Sequence, residues 1–161
     1  MLATIVMPCR NEKRYVQDAL VSIFSSDMDP AQYEVIVVDG HSTDGTREIL
    51  SEMQQQHPNL IVKENPNITV PYAMNIGIRA SHGEYIIRID AHCEYPHNYI
   101  SELIKYHKKL NADNVGTVME SRVKHSNKKT ESIARVLSDA FGVGNAYFRI
   151  GSHEIREVDT V

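Results

Sequence analysis

The sequence predicts an α/β fold, a mostly parallel sheet with helices on both faces. The first observation behind this is the unbroken apolar run Val35-Ile36-Val37-Val38, which reads as a strand buried on both sides. The second is the stretch after it, Asp39-Gly40-His41-Ser42-Thr43-Asp44-Gly45-Thr46, whose acid, glycine and hydroxyl residues read as a turn opening a helix. The third is that the pattern recurs: Asp90 follows Tyr85-Ile86-Ile87-Arg88-Ile89 as Asp39 follows the earlier run. Two carboxylates thus stand at the C-terminal ends of parallel strands, the edge at which open α/β sheets bind ligands.

Residues 2–7 form a short apolar strand ended by Pro8, and the helix after it carries Val16, Ala19, Leu20, Ile23 and Phe24 at the spacing of one buried face. The strand at 35–38 leads into a helix over 46–56, with Thr43 as N-cap and Ile49, Leu50 and Met53 as its inner stripe. Leu60-Ile61-Val62 is a third strand and Asn65-Pro66-Asn67 a turn. A helix over 69–81 follows, with Tyr72, Ala73, Ile76 and Ala80 on one face and Gly83 as its stop. After the Asp90 strand come a helix over 97–110 and a strand over 115–119. Residues 121–132, with Lys124, His125, Lys128 and Lys129, read as an exposed loop or flap, and a short helix over 133–141 precedes Gly142-Val143-Gly144. Glu157-Val158-Asp159-Thr160-Val161 alternates like a strand in mid-course. The expectation is a single domain over 1–161, the N-terminal part of a longer protein whose fold is truncated at the C-terminal side.

At 161 residues, with 42% hydrophobic and 24% charged residues, the chain has the makeup of a soluble globular domain with one core. A formal charge of −4 and scattered Lys and Arg, with no basic stripe, argue against a nucleic-acid partner. Cys9 and Cys93 lack CxxC spacing and read as reduced thiols of a cytoplasmic protein, with no structural zinc expected. No apolar run approaches the roughly 20 residues that span a bilayer, and the apolar start of the chain is too short for a signal peptide. An acidic protein that binds a diphosphate has to gather cations locally, through a metal, a few arginines or helix N-termini.

Asp90-Ala91-His92-Cys93-Glu94 is the sharpest constellation. If the strand stays extended through it, the side chains of 90, 92 and 94 point to one face, and two carboxylates and an imidazole converge. That spacing permits a hard divalent cation, Mg²⁺ or Mn²⁺, with a bound diphosphate completing its shell. The plain alternative has Asp90 capping a turn while His92 and Glu94 are solvated. Asp39 reads either as a turn former or helix cap, or as an acceptor for a ribose hydroxyl or a base N–H. Ser42, Thr43 and Asp44 read as caps, Pro8-Cys9-Arg10-Asn11-Glu12 as a polar loop on the same rim, and Asn75 as a solvated helix flank. Two acids on one rim suggest a nucleotide-sugar site.

In combination these segments resemble the family 2 inverting glycosyltransferases, whose fold is GT-A, a Rossmann-like sheet. The residues that carry the resemblance are Pro8-Cys9-Arg10-Asn11-Glu12, the run from Val37 through Thr46, Ala73-Met74-Asn75-Ile76-Gly77 with Ala80, Gly83-Glu84-Tyr85-Ile86, and Asp90-Ala91-His92 in place of D-x-D. The Asp-Ala-His form and the Glu157-Val158-Asp159-Thr160-Val161 stretch look most like bacterial exopolysaccharide enzymes of the succinoglycan type. The resemblance implies a donor site of Pro8, Arg10, Glu12, Asp39, Asn75 and Asp90, with Asp39 on the base or ribose and Asp90 facing the ribose and diphosphate. It also implies Mn²⁺ or Mg²⁺ at Asp90, His92 and Glu94, where a metal neutralises the diphosphate leaving group. Three positions depart from the family pattern. Gly40 and His92 replace acids, and the family's general base, an acid of a later x-E-D segment, matches no residue here.

The expected function is transfer of a sugar from a nucleoside diphosphate to a polysaccharide or lipid-linked acceptor, in the cytoplasm or at the inner face of the cell membrane. The chain by itself is expected to bind donor weakly and turn over little. A dehydrogenase or phosphotransferase is disfavoured, because no G-x-G-x-x-G follows the first strand and no G-x-x-x-x-G-K-[ST] occurs. The rival from another class is a non-catalytic binding or regulatory module on the same fold.

Overall fold

Strands β1 (Ala3–Cys9), β2 (Tyr33–Asp39), β3 (Leu60–Glu64) and β4 (Tyr85–Arg88) pair in parallel in the order β3-β2-β1-β4. The structure is a computed structural model that describes residues 1–121, 127–144, 146–151 and 154–158. β1 and β2 are the central strands and are buried along almost their whole length, as unbroken apolar sequence requires of strands covered on both faces. Each fully buried side chain among Ile5, Val6, Val35, Ile36, Val37 and Val38 contributes about 1.5–3 kcal/mol of burial free energy.

One face of the sheet is covered by α3 (Val70–Ala80). Its Ala73 packs with Ile36 and Val38, and a Cβ on Gly77 would lie 2.3 Å from Val6 Cγ1, so this helix seats almost backbone to sheet. That close approach narrows the buried stripe to Ala73 and Gly77. Tyr72, expected on it, is exposed. Asp39 alternates to the opposite face, where Arg47 and Leu50 of α2 (Thr46–Gln56) lie beside it. α1 (Val16–Phe24) packs against α2 and buries Val16, Ala19, Leu20 and Ile23, the expected stripe, while Phe24 stacks on His57 with ring centroids 3.8 Å apart.

Pro8 does not end β1, which runs on to Cys9. The Val6 carbonyl accepts from Ile89 N–H on the β4 side and the Cys9 carbonyl accepts from Gly40 N–H on the β2 side. By alternation Pro8 turns its backbone toward β4, which has already stopped at Arg88, so the missing N–H breaks no rung of the ladder. The chain steps from β1 to β2 to β3 on one side and then crosses to β4 on the other, which puts the topological switch between β1 and β4.

At the opposite edge of the sheet Thr4 and Glu34 are register partners on β1 and β2, and the Thr4 hydroxyl donates to Glu34 Oε1 at 2.7 Å. His82 N–H donates to the same oxygen at 2.7 Å, its Nδ1 lies 3.2 Å from both carboxylate oxygens, and Gly83 N–H donates to Thr4 Oγ1 at 2.8 Å. Burial pushes the Glu34 carboxyl up, but the hydrogen bonds from Thr4 and His82 outweigh it and hold the pKa below the ordinary value. A depressed carboxyl contributes stability above its unfolded pKa, about 4.3, and loses it as pH falls through the native value. The urea midpoint is therefore expected to drop as pH falls below the unfolded value of about 4.3 and on through the lower native one, and Thr4→Val is expected to flatten that drop. An acid dependence identical in parent and variant would assign the loss to other groups.

The chain divides into two compact units, Met1–Ile104 and Lys105–Val161. α4 (Tyr99–Leu110) starts two residues later than expected, because the His97 carbonyl is engaged by Asp27 N–H. In the second unit α5 (Lys128–Leu137) begins well before residue 133, since the Asn127 side chain accepts from Lys129 and Thr130 N–H in a capping box. The helix stops at Ser138, and α6 (Ala140–Val143) and α7 (Tyr147–Ile150) follow as single turns. One expected strand is corrected, and of the other only 157–158 are described. Residues 115–119 are irregular, with Val118 and Met119 exposed, and no strand among the described residues pairs with them. Residues 154–158 are irregular too, and 159–161 lie outside the described residues, as do 122–126 of the expected loop.

Candidate functional site

Asp39 closes β2 level with Cys9 of β1, and the β1–β4 register carried two places past Val6–Arg88 sets Asp90 level with Pro8. Both acids therefore follow strands at the C-terminal edge of the sheet, Asp39 on the β2 side of β1 and Asp90 on the β4 side. This is the edge at which open α/β sheets bind ligands, and the loop after β1 lies at the switch point.

The loops after β1 and β2 are laced together. Three successive backbone N–H groups of the first donate to side chains of the second: Asn11 to Ser42 Oγ at 2.8 Å, Glu12 to Thr46 Oγ1 at 2.9 Å and Lys13 to Asp44 Oδ2 at 3.1 Å. Asn11 sits at φ 55°, a left-handed conformation that asparagine tolerates, and its Oδ1 accepts from Thr43 N–H at 2.9 Å. Asp39 is only 2% exposed. Its carboxylate accepts from the Ser42 hydroxyl and from Ser42 N–H at 3.1 Å, and Arg47 Nε stands 3.6 Å away, with the same guanidinium also paired to Glu64. A cavity of about 180 Å³ opens beside it, lined by Asp39, Arg47, Leu50, Ser51, Gln54, Val62 and Glu64; Asp90 is not among its walls.

Gly45, at φ 102°, is the N-cap of α2, and Asp44 before it, not Thr43, supplies the side-chain acceptor, since Thr46 N–H and its hydroxyl both donate to Asp44 Oδ1. Gly40 stands where the resembling pattern has a second acid. A Cβ there would lie 2.9 Å from the Ile68 carbonyl and 3.5 Å from the Arg10 side chain, so the backbone after β3 fills the place of a side chain.

On the β4 side the strand does not stay extended through residues 90–94. Cys93 N–H bonds to the Asp90 carbonyl at 3.3 Å, and Asp90 N–H donates to the Tyr95 hydroxyl at 2.7 Å, so the chain turns at Ala91-His92. The alternation that was expected to bring Asp90, His92 and Glu94 to one face is lost with the strand. Asp90 is held by Arg88 at 3.0 Å, His92 Nδ1 lies 3.2 Å from Glu12 Oε1, and Glu94 is exposed. Among the described residues no group of three His, Cys, Asp or Glu side chains stands ready to hold a metal. As arranged, Asp90, His92 and Glu94 do not fit a divalent cation. Of the other expected site residues, Pro8 is half-buried and Arg10 exposed on the rim, whereas Asn75 is exposed on α3 with no contact joining it to the rim acids among the described residues.

Burial first, then the charges of Asp39, Glu12 and Asp44, push the Cys9 thiol up to about 12, so it stays protonated and is no nucleophile near neutral pH. Those three carboxylates make the end of β1 acidic. The rim cations are Arg10, Lys13, Arg47 and Arg88; among the described residues Arg10 and Lys13 form no salt bridge, which leaves their charge for an anion.

A parallel sheet with acids, a hydroxyl-rich loop and the cations Arg10 and Lys13 at its switch-point edge has the layout at which open α/β sheets bind ligands. The chain belongs to glycosyl transferase family 2, whose pattern it matches over residues 4–156. It is 31% identical to the succinoglycan biosynthesis protein ExoA of Rhizobium meliloti over 150 residues, 92% of this chain and 44% of that protein. It is 33% identical over 93 residues to a poly(ribitol-phosphate) beta-glucosyltransferase of Bacillus spizizenii, 56% of this chain and 15% of that one. The mannosyltransferase PcManGT of Pyrobaculum calidifontis, solved with GDP-Man and Mn²⁺, superposes with a TM-score of 0.65 at 26% identity over 74% of this chain and 35% of its own. S. aureus TarS (residues 1–349), solved with UDP-GlcNAc, shares the GT-A fold with a TM-score of 0.61 at 23% identity, over 78% of this chain and 38% of its own. The chain thus spans less than half the length of these relatives.

Proposed function

We propose that the chain binds a nucleoside-diphosphate sugar along the β1/β4 edge, as the donor part of a glycosyltransferase that passes the sugar, with inversion, to a glycan or lipid-linked acceptor in cell-surface polysaccharide synthesis. The observation that carries this reading is the placement of Asp39 and Asp90 on one sheet edge on either side of the switch-point loop. Pro8, Arg10 and Glu12 lie on that loop and are assigned to the donor with the two acids; Asn75 is assigned only if the nucleotide reaches across the exposed side of α3. Arg10 and Lys13 serve the diphosphate, which an otherwise acidic rim repels. The names of the relatives support the reading: one makes succinoglycan, another glucosylates a ribitol-phosphate polymer, and a structural neighbour carries GDP-Man with Mn²⁺. No step is assigned to a metal, because this arrangement gathers no ligand set of its own. No helix among the described residues is long and apolar enough to cross a membrane.

Calorimetric titration tests the proposal. UDP or GDP, with Mn²⁺ present, is expected to bind the parent, and Asp90→Ala to weaken that binding at least about tenfold, the scale of one charged hydrogen-bonding group. Mn²⁺ alone is expected to give no binding heat. If neither nucleotide binds, or Asp90→Ala binds as the parent does, the donor site is elsewhere.

A further inference from the structure

We infer that Ser42 is a positioning residue of the donor site: its hydroxyl, locked by the loop after β1, aims the Asp39 carboxylate. The inference rests on the donor reading above and concerns how that site is held in shape.

Ser42 is buried and its hydroxyl has one proton to give and two lone pairs to fill. Asn11 N–H takes one lone pair at 2.8 Å, and the proton goes to Asp39 Oδ1. With the incoming N–H fixed by a backbone at φ 55°, the hydroxyl cannot swing away without abandoning a buried donor. The Ser42 backbone N–H meanwhile reaches Asp39 Oδ2 at 3.1 Å, so one residue grips both carboxylate oxygens with charge-assisted bonds. A carboxylate offers about four acceptor directions, and these bonds leave at least one open for a ligand. The helix-cap role expected for Ser42 is filled by Asp44, which accepts from Thr46 N–H, so among the described residues the Ser42 hydroxyl donates to Asp39 alone. Asn11 Oδ1 closes the lock from the other side by accepting Thr43 N–H, the residue next to Ser42.

A double-mutant cycle reads whether Ser42 acts through Asp39. Binding of UDP and GDP is titrated in the parent, Ser42→Ala, Ser42→Thr, Asp39→Asn and the Ser42→Ala/Asp39→Asn pair; asparagine keeps one acceptor oxygen, so weakened binding remains measurable. Ser42→Ala is expected to raise Kd about tenfold, Ser42→Thr to restore it, and Ser42→Ala to add less than about twofold once Asp39 is asparagine. Should Ser42→Ala not fold, Ser42→Cys, of similar size but a poor donor, takes its place in the cycle with the same expectation. Effects that simply add, or threonine failing to restore binding, overturn the inference and leave the donor reading intact. A parent that binds neither UDP nor GDP overturns both.

Discussion

Asp39→Ala is expected to weaken binding of UDP or GDP about a hundredfold, close to 2.7 kcal/mol, and to lower thermal stability at the same time. The affinity term follows from removing the carboxylate that closes β2 at the sheet edge assigned to the donor. The stability term arises because the Ser42 hydroxyl and the Ser42 N–H lose their shared acceptor in a place that water barely reaches, whereas the half-exposed Arg47 keeps Glu64. Each orphaned buried donor costs about 1–3 kcal/mol, so the two consequences have to be separated by measuring melting and titration on the same preparation. A variant that melts early yet binds like the parent would show that the nucleotide does not use the end of β2.

Gly83→Ala is expected to be the most damaging single methyl in the first unit. A Cβ at that position would lie 2.4 Å from the Ala3 carbonyl carbon and the Thr4 nitrogen, which are backbone atoms of the central strand and cannot rotate aside. Gly77 presents the contrast, since its Cβ would meet the Val6 side chain, which can yield by shifting α3 outward. Overpacking against an immovable strand costs about 3 kcal/mol, or roughly 10–20 °C in midpoint for a unit of this size. It also breaks the Gly83 N–H to Thr4 bond that seats the Glu34 clasp. Circular-dichroism melting checks this, and a midpoint within about 2 °C of the parent would mean that the α3–β4 connection is looser than drawn.

The sheet was legible because its central strands cannot be anything else: Val35-Ile36-Val37-Val38 is too apolar for a surface and too short for a buried helix. Helix α2 was found to the residue, but its cap was not, because Thr43 and Asp44 satisfy the same propensity and only the fold decides which oxygen reaches the first turn. Periodicity failed where tertiary contacts overrode it. Tyr72 fits a helical stripe that the close seating of Gly77 leaves no room for. Residues 115–119 read as a strand, but no strand among the described residues pairs with them. The placement of Asp39 and Asp90 was visible as two acids after two apolar runs. The arrangement of 90, 92 and 94 was not, because nothing local announced that the Tyr95 hydroxyl would fold the chain back on Asp90. The lacing of the two rim loops also escaped the sequence reading, although an asparagine before Glu12 and a dense Ser-Thr-Asp cluster were its available signal. Glu34 was passed over for the opposite reason, since one charged residue at the head of an apolar run looks like its solvated boundary.

The lacing of Asn11, Glu12 and Lys13 to Ser42, Asp44 and Thr46 sets a rule for anyone building hybrids of this chain with its relatives. Neither connection can be transplanted by itself, because the receiving scaffold would supply hydroxyls and amides that no longer meet. In such chimeras the two segments have to be grafted as a matched set.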